Sequence, residues 1–252
     1  MNQQERLIEI MSLLEAQSFL KQEELAKHFD VSKDTARRDI LKLVENNLVE
    51  RHKGGIQLPI IKQQITDYKN RIITNSSEKK SIAKLARTLI LDSDTIWLDV
   101  STTVELLSDD SLPKNILAVT NSVDNAVSFS QHIKRILLLG GYYQPDSHQL
   151  KGPMLRTQLE NYYFDIVFIG ASGASEEGIF FDELEDIYLH QQLAKQGKRI
   201  ILLLDHSKYQ KTTSFKLNWE FVDTIISDEL PNQTFQKTLL KNSIDILTPK
   251  GA

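Results

Sequence analysis

Residues Ser32 to Asn47 read SKDTARRDILKLVENN. On a helix, Ala36, Ile40, Leu43 and Val44 recur at i, i+4, i+7 and i+8 and make one apolar stripe, while Asp34, Thr35, Arg38 and Lys42 fall on the other side. One face packs and the other is open to a partner. Ser32 is a good N-cap because its hydroxyl can accept from the orphan amides of the first turn, and Phe29-Asp30-Val31 reads as a tight turn out of an earlier short helix. That is the layout of a helix-turn-helix, whose second helix lies in the DNA major groove with its N-terminal residues at the base edges. Ser32, Lys33, Thr35, Arg37, Arg38 and Lys42 are the candidate DNA contacts on this helix.

Working outward, residues 4 to 16 predict a helix with Leu7, Ile10, Met11 and Leu14 on one side, a spacing that fits core packing. A short helix over Gln22 to Phe29 follows, with Leu25, Ala26 and Phe29 inward. Leu48 to Arg51 and Ile56 to Leu58 are short alternating runs around His52-Lys53-Gly54-Gly55, which predicts a two-stranded hairpin wing. Arg51, His52 and Lys53 at its tip join the candidate DNA contacts. A winged helix-turn-helix over residues 1–58 is expected, with Pro59 at the exit and a polar, glycine-poor linker over 59–76 in which Tyr68, Arg71, Ile72 and Ile73 are the expected contacts.

The chain carries a formal net charge of −4, which by itself argues against a nucleic-acid partner. From Val31 to Lys53, however, six basic residues outnumber four acids, a local balance of +2, so DNA binding should lean on geometry and pairing of copies more than on bulk charge. There is no cysteine, hence no disulfide framework, no thiolate nucleophile and no cysteine-based metal site. The opening MNQQERLIEIMSLLE is amphipathic and acidic rather than a signal peptide, and the longest apolar runs fall far short of the roughly 20 residues of a membrane span. A soluble, cytoplasmic protein with no membrane partner is expected.

From Ser77, read as the cap of a helix with Ile82, Leu85, Ala86 and Leu89 inward, a repeated beat begins. Apolar runs at 95–98, 116–119, 136–139, 166–169, 200–204 and 224–226 alternate with helical patterns at 104–107, 123–130, 154–163, 184–196 and 235–241. Nearly continuous apolar strands between helices imply a parallel sheet covered on both faces. The fold class is α/β, with residues 77–252 forming a Rossmann-like second domain. In such sheets ligands sit at the carboxyl ends of the strands. Those ends carry Asp99, Ser101, Thr102 and Thr103; Asn121 and Ser122; Gly140 and Gly141; Gly170 and Gly173; and Asp205, His206, Ser207 and Lys208. Hydroxyls, amides, a lysine and carboxylates on one rim point to a small polyol bearing a phosphate, although glycine and Ser/Thr after a strand are also ordinary turn residues. No dinucleotide fingerprint or Walker motif is present, so no cofactor is implied. The six histidines show no metal-binding spacing, and the consecutive Asp205, His206 and Ser207 cannot form a catalytic relay.

These residues resemble the DeoR-type bacterial transcriptional regulators. The resemblance rests on Arg6-x3-Ile10-x3-Leu14, then seventeen residues, then Ser32-x2-Thr35-Ala36-Arg37-Arg38-Asp39-Ile40, with the Arg51-His52-Lys53-Gly54-Gly55 wing. It continues through Asp99-x2-Thr102-Thr103, Thr120-Asn121-Ser122, Gly140-Gly141, Gly152-Pro153, Gly170, Gly173, Glu185 and Asp205-x-Ser207-Lys208. It implies a C-terminal sensor domain similar to ribose-5-phosphate isomerase and coenzyme A transferases, and a repressor tuned by a phosphorylated sugar or sugar-pathway intermediate. Two positions depart from the family: Ser101 stands where it usually has glycine, and Glu183 to His190 replaces its usual Glu-Ala followed by a base. Either His190 stands in for that base or the site is reshaped.

Two functions fit the residues. One is a DNA-binding regulator with a ligand-sensing domain; the other is an isomerase-type enzyme with an appended helical module, using Asp99, Glu185 and Lys208 for proton transfer. The arginines of the recognition helix have no use in such an enzyme, which favours the regulator. Recognition-helix proteins pair to span two half-sites, so a homo-oligomer, dimer or tetramer, on double-stranded operator DNA is expected.

Overall fold

The computed structural model describes residues 3–17, 19–46, 48–52, 54–57 and 76–249. The chain divides into two compact units, Met1–Asn70 and Arg71–Ala252. The first runs α1 (Gln3–Ala16), β1 (Phe19–Lys21), α2 (Gln22–His28), α3 (Lys33–Glu45), β2 (Glu50–His52) and β3 (Gly55–Gln57). Leu7, Ile10 and Leu14 of α1, Leu25 and Ala26 of α2, and Ala36, Ile40 and Leu43 of α3 meet in one core. Val44, expected in the stripe, is only half-buried, because it lies at the edge of that core. Ser32 caps α3 as expected, its Oγ accepting from the Thr35 amide at 3.1 Å.

The wing differs from the two-stranded expectation. Its sheet has three strands in the order β1-β3-β2, with Leu20 opposite Ile56 and Arg51 opposite Ile56 on its other side. Phe19–Lys21 is too short to show alternation. It pairs because Leu20 and Ile56, 5% and 0% exposed, share the buried face. Lys53, Leu58 and the expected linker from 59 to 75, with Tyr68, Arg71, Ile72 and Ile73, lie outside the described residues.

Asp39 is the second departure. It sits on α3 among the presumed surface charges yet is 1% exposed. Its Oδ2 accepts from Arg6 Nε at 2.7 Å, and its Oδ1 from Gln3 Nε2 at 2.8 Å and Arg6 Nη2 at 3.3 Å. The hydrogen bond from Arg6 to Asp39 raises the guanidinium pKa further. The pair fixes α1 across α3 and withdraws one acid from the outer face.

The second unit begins with α4 (Ser76–Arg87), in whose first turn Ser77 lies rather than at its cap. It continues with β4 (Thr95–Leu98), α5 (Thr102–Glu105), β5 (Leu117–Thr120), α6 (Val123–Phe129), β6 (Arg135–Leu138), β7 (Tyr142–Gln144), β8 (Gln149–Lys151), α7 (Pro153–Leu159) and β9 (Ile166–Ile169). Then come β10 (Gly173–Ser175), β11 (Gly178–Phe181), α8 (Leu184–Gln196), β12 (Ile200–Leu203), β13 (Phe215–Leu217), β14 (Thr224–Ile226), α9 (Gln233–Lys241) and β15 (Asp245–Leu247).

Seven strands form one parallel sheet in the order β15-β14-β12-β9-β4-β5-β6. Its alternate residues feed two cores. Ile96, Leu98, Ile166 and Phe168 face α4, α5 and α6, while Trp97, Val167 and Ile169 face α7, α8 and α9. Both faces being apolar, the strands read as continuous runs, and each large side chain so buried is worth about 1.5 to 3 kcal/mol. The chain leaves β4 in one direction through β5 and β6, then crosses to the other side at β9. The carboxyl ends of β4 and β9 therefore flank the topological switch point, where an open α/β sheet has its crevice. Five short strands, β7, β8, β10, β11 and β13, and the edge strand β15 were not expected from the sequence. The first five form two small antiparallel sheets on the rim.

Asp39→Ala removes the buried carboxylate that pairs with the Arg6 guanidinium, which is 11% exposed. In scanning calorimetry it is expected to lower the transition of the N-terminal unit by several degrees and leave that of the C-terminal unit unmoved. Asp34→Ala, on the exposed face, is expected to move neither.

Candidate functional site

In the first unit, Ser32, Lys33, Arg37, Arg38 and Lys42 of the α3 segment and Arg51 and His52 of β2 are all exposed. Thr35 is half-buried, its hydroxyl 2.9 Å from Ser32 Oγ. Lys33 Nζ lies 2.6 Å from Glu23 Oε1, which holds the Glu23 carboxyl below its usual range, but both ends of the pair are in water and it restrains Lys33 little. With Asp39 turned inward, the outer face of α3 is more basic than the sequence count suggests.

In the second unit, the switch point is closed by Asp99, 6% exposed. Its Oδ2 accepts from the Gly170 amide at 3.1 Å and lies 3.1 Å from His190 Nε2, and its main-chain carbonyl accepts from Asn125 Nδ2 at 2.9 Å. Burial opposes a charge on His190, but Asp99 and Asp186 outweigh it and hold the imidazole above its ordinary pKa. The ring lies against Phe181, centroids 4.5 Å apart. Ser101 caps α5, its Oγ accepting from the Thr103 amide at 3.3 Å, and Thr103 is buried. A Cβ on Gly170 would stand 2.5 Å from Ser101 Oγ, so the Ser101 side chain fills the space over Gly170.

Beside this point lies a narrow cleft lined by Asn121, Gln149, Lys151, Gly152, Leu155, Arg156, Glu185, Asp186 and Leu189. Of the residues expected from the sequence it gathers Asn121 and Glu185. Ser122 is used as the cap of α6, accepting from Asn125 N at 3.2 Å. The Gly140 amide is taken by Gln158 Oε1 at 3.1 Å, and Gly141 and Gly173 make room for the backbone of Lys151 and Lys211. Lys208 ends a single 3-10 turn, His206–Lys208, capped by Asp205, and is not among the cleft residues. Of Asp99, Glu185 and Lys208, Glu185 alone is among the residues lining this cleft.

Sequence reasoning missed the two cations of the cleft. Lys151, 7% exposed, is paired with Glu183 and lies 3.7 Å from Asp186 Oδ1. Arg156 is exposed, with its guanidinium 6.0 Å from the centre of the Tyr188 ring. The signal was a lysine alternating with Gln149 just before Gly152-Pro153, but a three-residue strand is too short for periodicity to mark its face. Elsewhere His206 Nδ1 meets Asp228 Oδ2 at 2.6 Å, which raises the His206 pKa, and Glu229 lies close by. Ion pairing accounts for that cluster.

Comparisons with known proteins fit both units. Residues 6–62 match the DeoR-like helix-turn-helix domain and residues 74–229 the DeoR C terminal sensor domain. The chain is 36% identical over 250 residues to the HTH-type transcriptional repressor GlcR of Bacillus subtilis (strain 168), spanning 98% of this chain and 96% of that protein. It is 27% identical over 251 residues to the glycerol-3-phosphate regulon repressor of Escherichia coli (strain K12), spanning 98% and 99%. Among solved structures, ribose 5-phosphate isomerase A from Methanocaldococcus jannaschii is 20% identical with a TM-score of 0.37, over 54% of this chain and 55% of that one.

Burial pushes the Asp186 carboxyl up to about 6, with Lys151 and His190 offsetting part of the rise. Its folded pKa lies above the unfolded value, so the folded state holds the extra proton and stability falls as pH rises from about 4 to about 6. Asp186→Asn is expected to raise the melting temperature at neutral pH and to flatten the profile between those limits. Thermal melts across pH check this, and a variant that melts lower than wild type at neutral pH would contradict it.

Proposed function

This chain belongs to the DeoR family of transcriptional regulators, and from that premise we propose that it represses a sugar-metabolism operon by binding double-stranded operator DNA through α3. A phosphorylated sugar or related intermediate, bound at the carboxyl-end rim of the C-terminal sheet, tunes that affinity. In this reading residues 1–58 read DNA, 59–76 link, and 77–252 sense. The DNA contacts are Ser32, Lys33, Thr35, Arg37, Arg38 and Lys42, with Arg51, His52 and Lys53 of the wing. The effector-facing set comprises Asp99, Ser101, Thr102, Thr103, Asn121, Ser122, Gly140, Gly141, Gly170, Gly173, Glu185 and Lys208. The protein is a cytoplasmic homo-oligomer without catalytic activity, cofactor or metal. No helix among the described residues is long and apolar enough to cross a membrane.

The observation that carries the reading is the division of charge on α3. Its only acid near the middle, Asp39, is spent inside against Arg6, while Arg37, Arg38 and Lys42 face water. An enzyme module would have no reason to present bases in this way, whereas a major-groove reader needs them at phosphates and base edges. One modestly basic helix binds DNA weakly, so pairing of copies across two half-sites supplies the rest.

A gel-shift titration on the DNA upstream of the protein's own gene tests this. Arg37→Ala and Arg38→Ala are each expected to weaken binding, one of them by the about 1 to 3 kcal/mol of a bidentate guanine contact, with melting temperatures unchanged. Wild-type affinity in both variants would remove α3 from the DNA interface.

A further inference from the structure

We propose that Lys151 and Arg156 receive the anionic group of the effector, and that the Glu183 carboxylate is a built-in competitor that the ligand displaces from Lys151. The inference rests on the reading that an anionic sugar binds the C-terminal unit, and it names where the charge goes.

The two ends of the Lys151–Glu183 pair are unequal. Lys151 has 9% of its side chain exposed and Glu183 47%. A buried ammonium cannot be left without counter-charge, but a half-exposed carboxylate returns to water at little cost. Exchange of one anion for another at Lys151 is therefore the easy change at this site. Glu183 stands at the N-cap of α8 without capping it through its side chain, so nothing else in the helix start holds that carboxylate. Asp186, the second acid near Lys151, is less exposed, at 27%, and belongs to the first turn of α8.

Arg156 lines the same cleft, and no carboxylate of a described residue lies within ion-pairing distance of it. Its planar fork suits a phosphate or carboxylate in two-point contact. Asn121 supplies the polar complement. Its Nδ2 donates to the Leu150 carbonyl at 3.0 Å, which fixes the amide and leaves Oδ1 buried without a partner on a side chain that is 0% exposed. That oxygen needs a donor, and a ligand hydroxyl provides one. The ligand class is a polyhydroxylated anion with a phosphate or a carboxylate as its charged group.

In the cleft lining Glu185 and Asp186 balance Lys151 and Arg156, and Glu183, paired with Lys151 from outside that lining, is the third carboxylate, so an entering anion meets a net negative site until Glu183 leaves. Departure of Glu183 resolves this and frees the start of α8, the helix that carries His190 on Asp99. The ligand's charge is thereby felt at the switch point.

The test is titration calorimetry on the full chain with glucose-6-phosphate, glycerol-3-phosphate, gluconate and glucose, for wild type, Glu183→Gln and Arg156→Gln. An anion that binds wild type is expected to bind Glu183→Gln about tenfold tighter and Arg156→Gln about tenfold weaker, with uncharged glucose binding none of them. Whether the phosphates or gluconate bind decides the charged group. Equal or weaker binding by Glu183→Gln overturns the displacement while leaving the anionic-effector reading intact. No binding of any probe to wild type or to Glu183→Gln overturns both.

Discussion

The sensor unit depends on one buried carboxylate. Asp99 follows the central strand β4 at the point where the sheet reverses its direction of growth, and its Oδ2 serves both the Gly170 amide beyond β9 and the His190 ring on α8. A carboxylate at 6% exposure is costly unless it is hydrogen-bonded, and Oδ2 makes two such contacts that tie the end of β4 to the end of β9 and to α8. Ser101 over Gly170 closes the remaining space. The position of α8 follows from this, and with it the placement of Glu183, Glu185 and Asp186 against β8 and α7. The charged cleft is in that sense a consequence of how the switch point is bound together.

What could be read from the sequence follows from the length of each signal. The buried strands at 95–98, 166–169 and 224–226 have the bounds that their patterns predict because both faces of the sheet are apolar and each shows as an uninterrupted run, and the helix at 184–196 is long enough for its period to show. Ser32 was legible as a cap for the same local reason. The rim strands were not, since three or four residues without an uninterrupted apolar run cannot display a period of two against background. Asp39 was counted as a surface charge because its partner, Arg6, stands 33 residues away. Lys151 was passed over on similar grounds, its counter-ion being 32 residues distant. The strand ends could be read as one rim, but only tertiary pairing shows which polar groups on it are already satisfied.

Buried charge serves opposite ends in the two units. In the N-terminal unit the Arg6–Asp39 pair is nearly fully enclosed at both ends, which makes it a fixed joint that orients α3. In the C-terminal unit the Lys151–Glu183 pair is enclosed at one end only, which makes it exchangeable. A reader of DNA benefits from rigidity in its recognition helix, and a sensor needs an element whose pairing changes with its ligand.

Regulation by an effector is a coupling free energy between two sites and is reciprocal. The direct measurement is the operator affinity of the full chain, by fluorescence anisotropy, with and without a sugar phosphate at a concentration that calorimetry shows to saturate it. The account predicts a change in operator dissociation constant of about fivefold or more, matched by the same factor in effector affinity when operator DNA is bound. An operator affinity that stays the same while the sugar phosphate is demonstrably bound would contradict it.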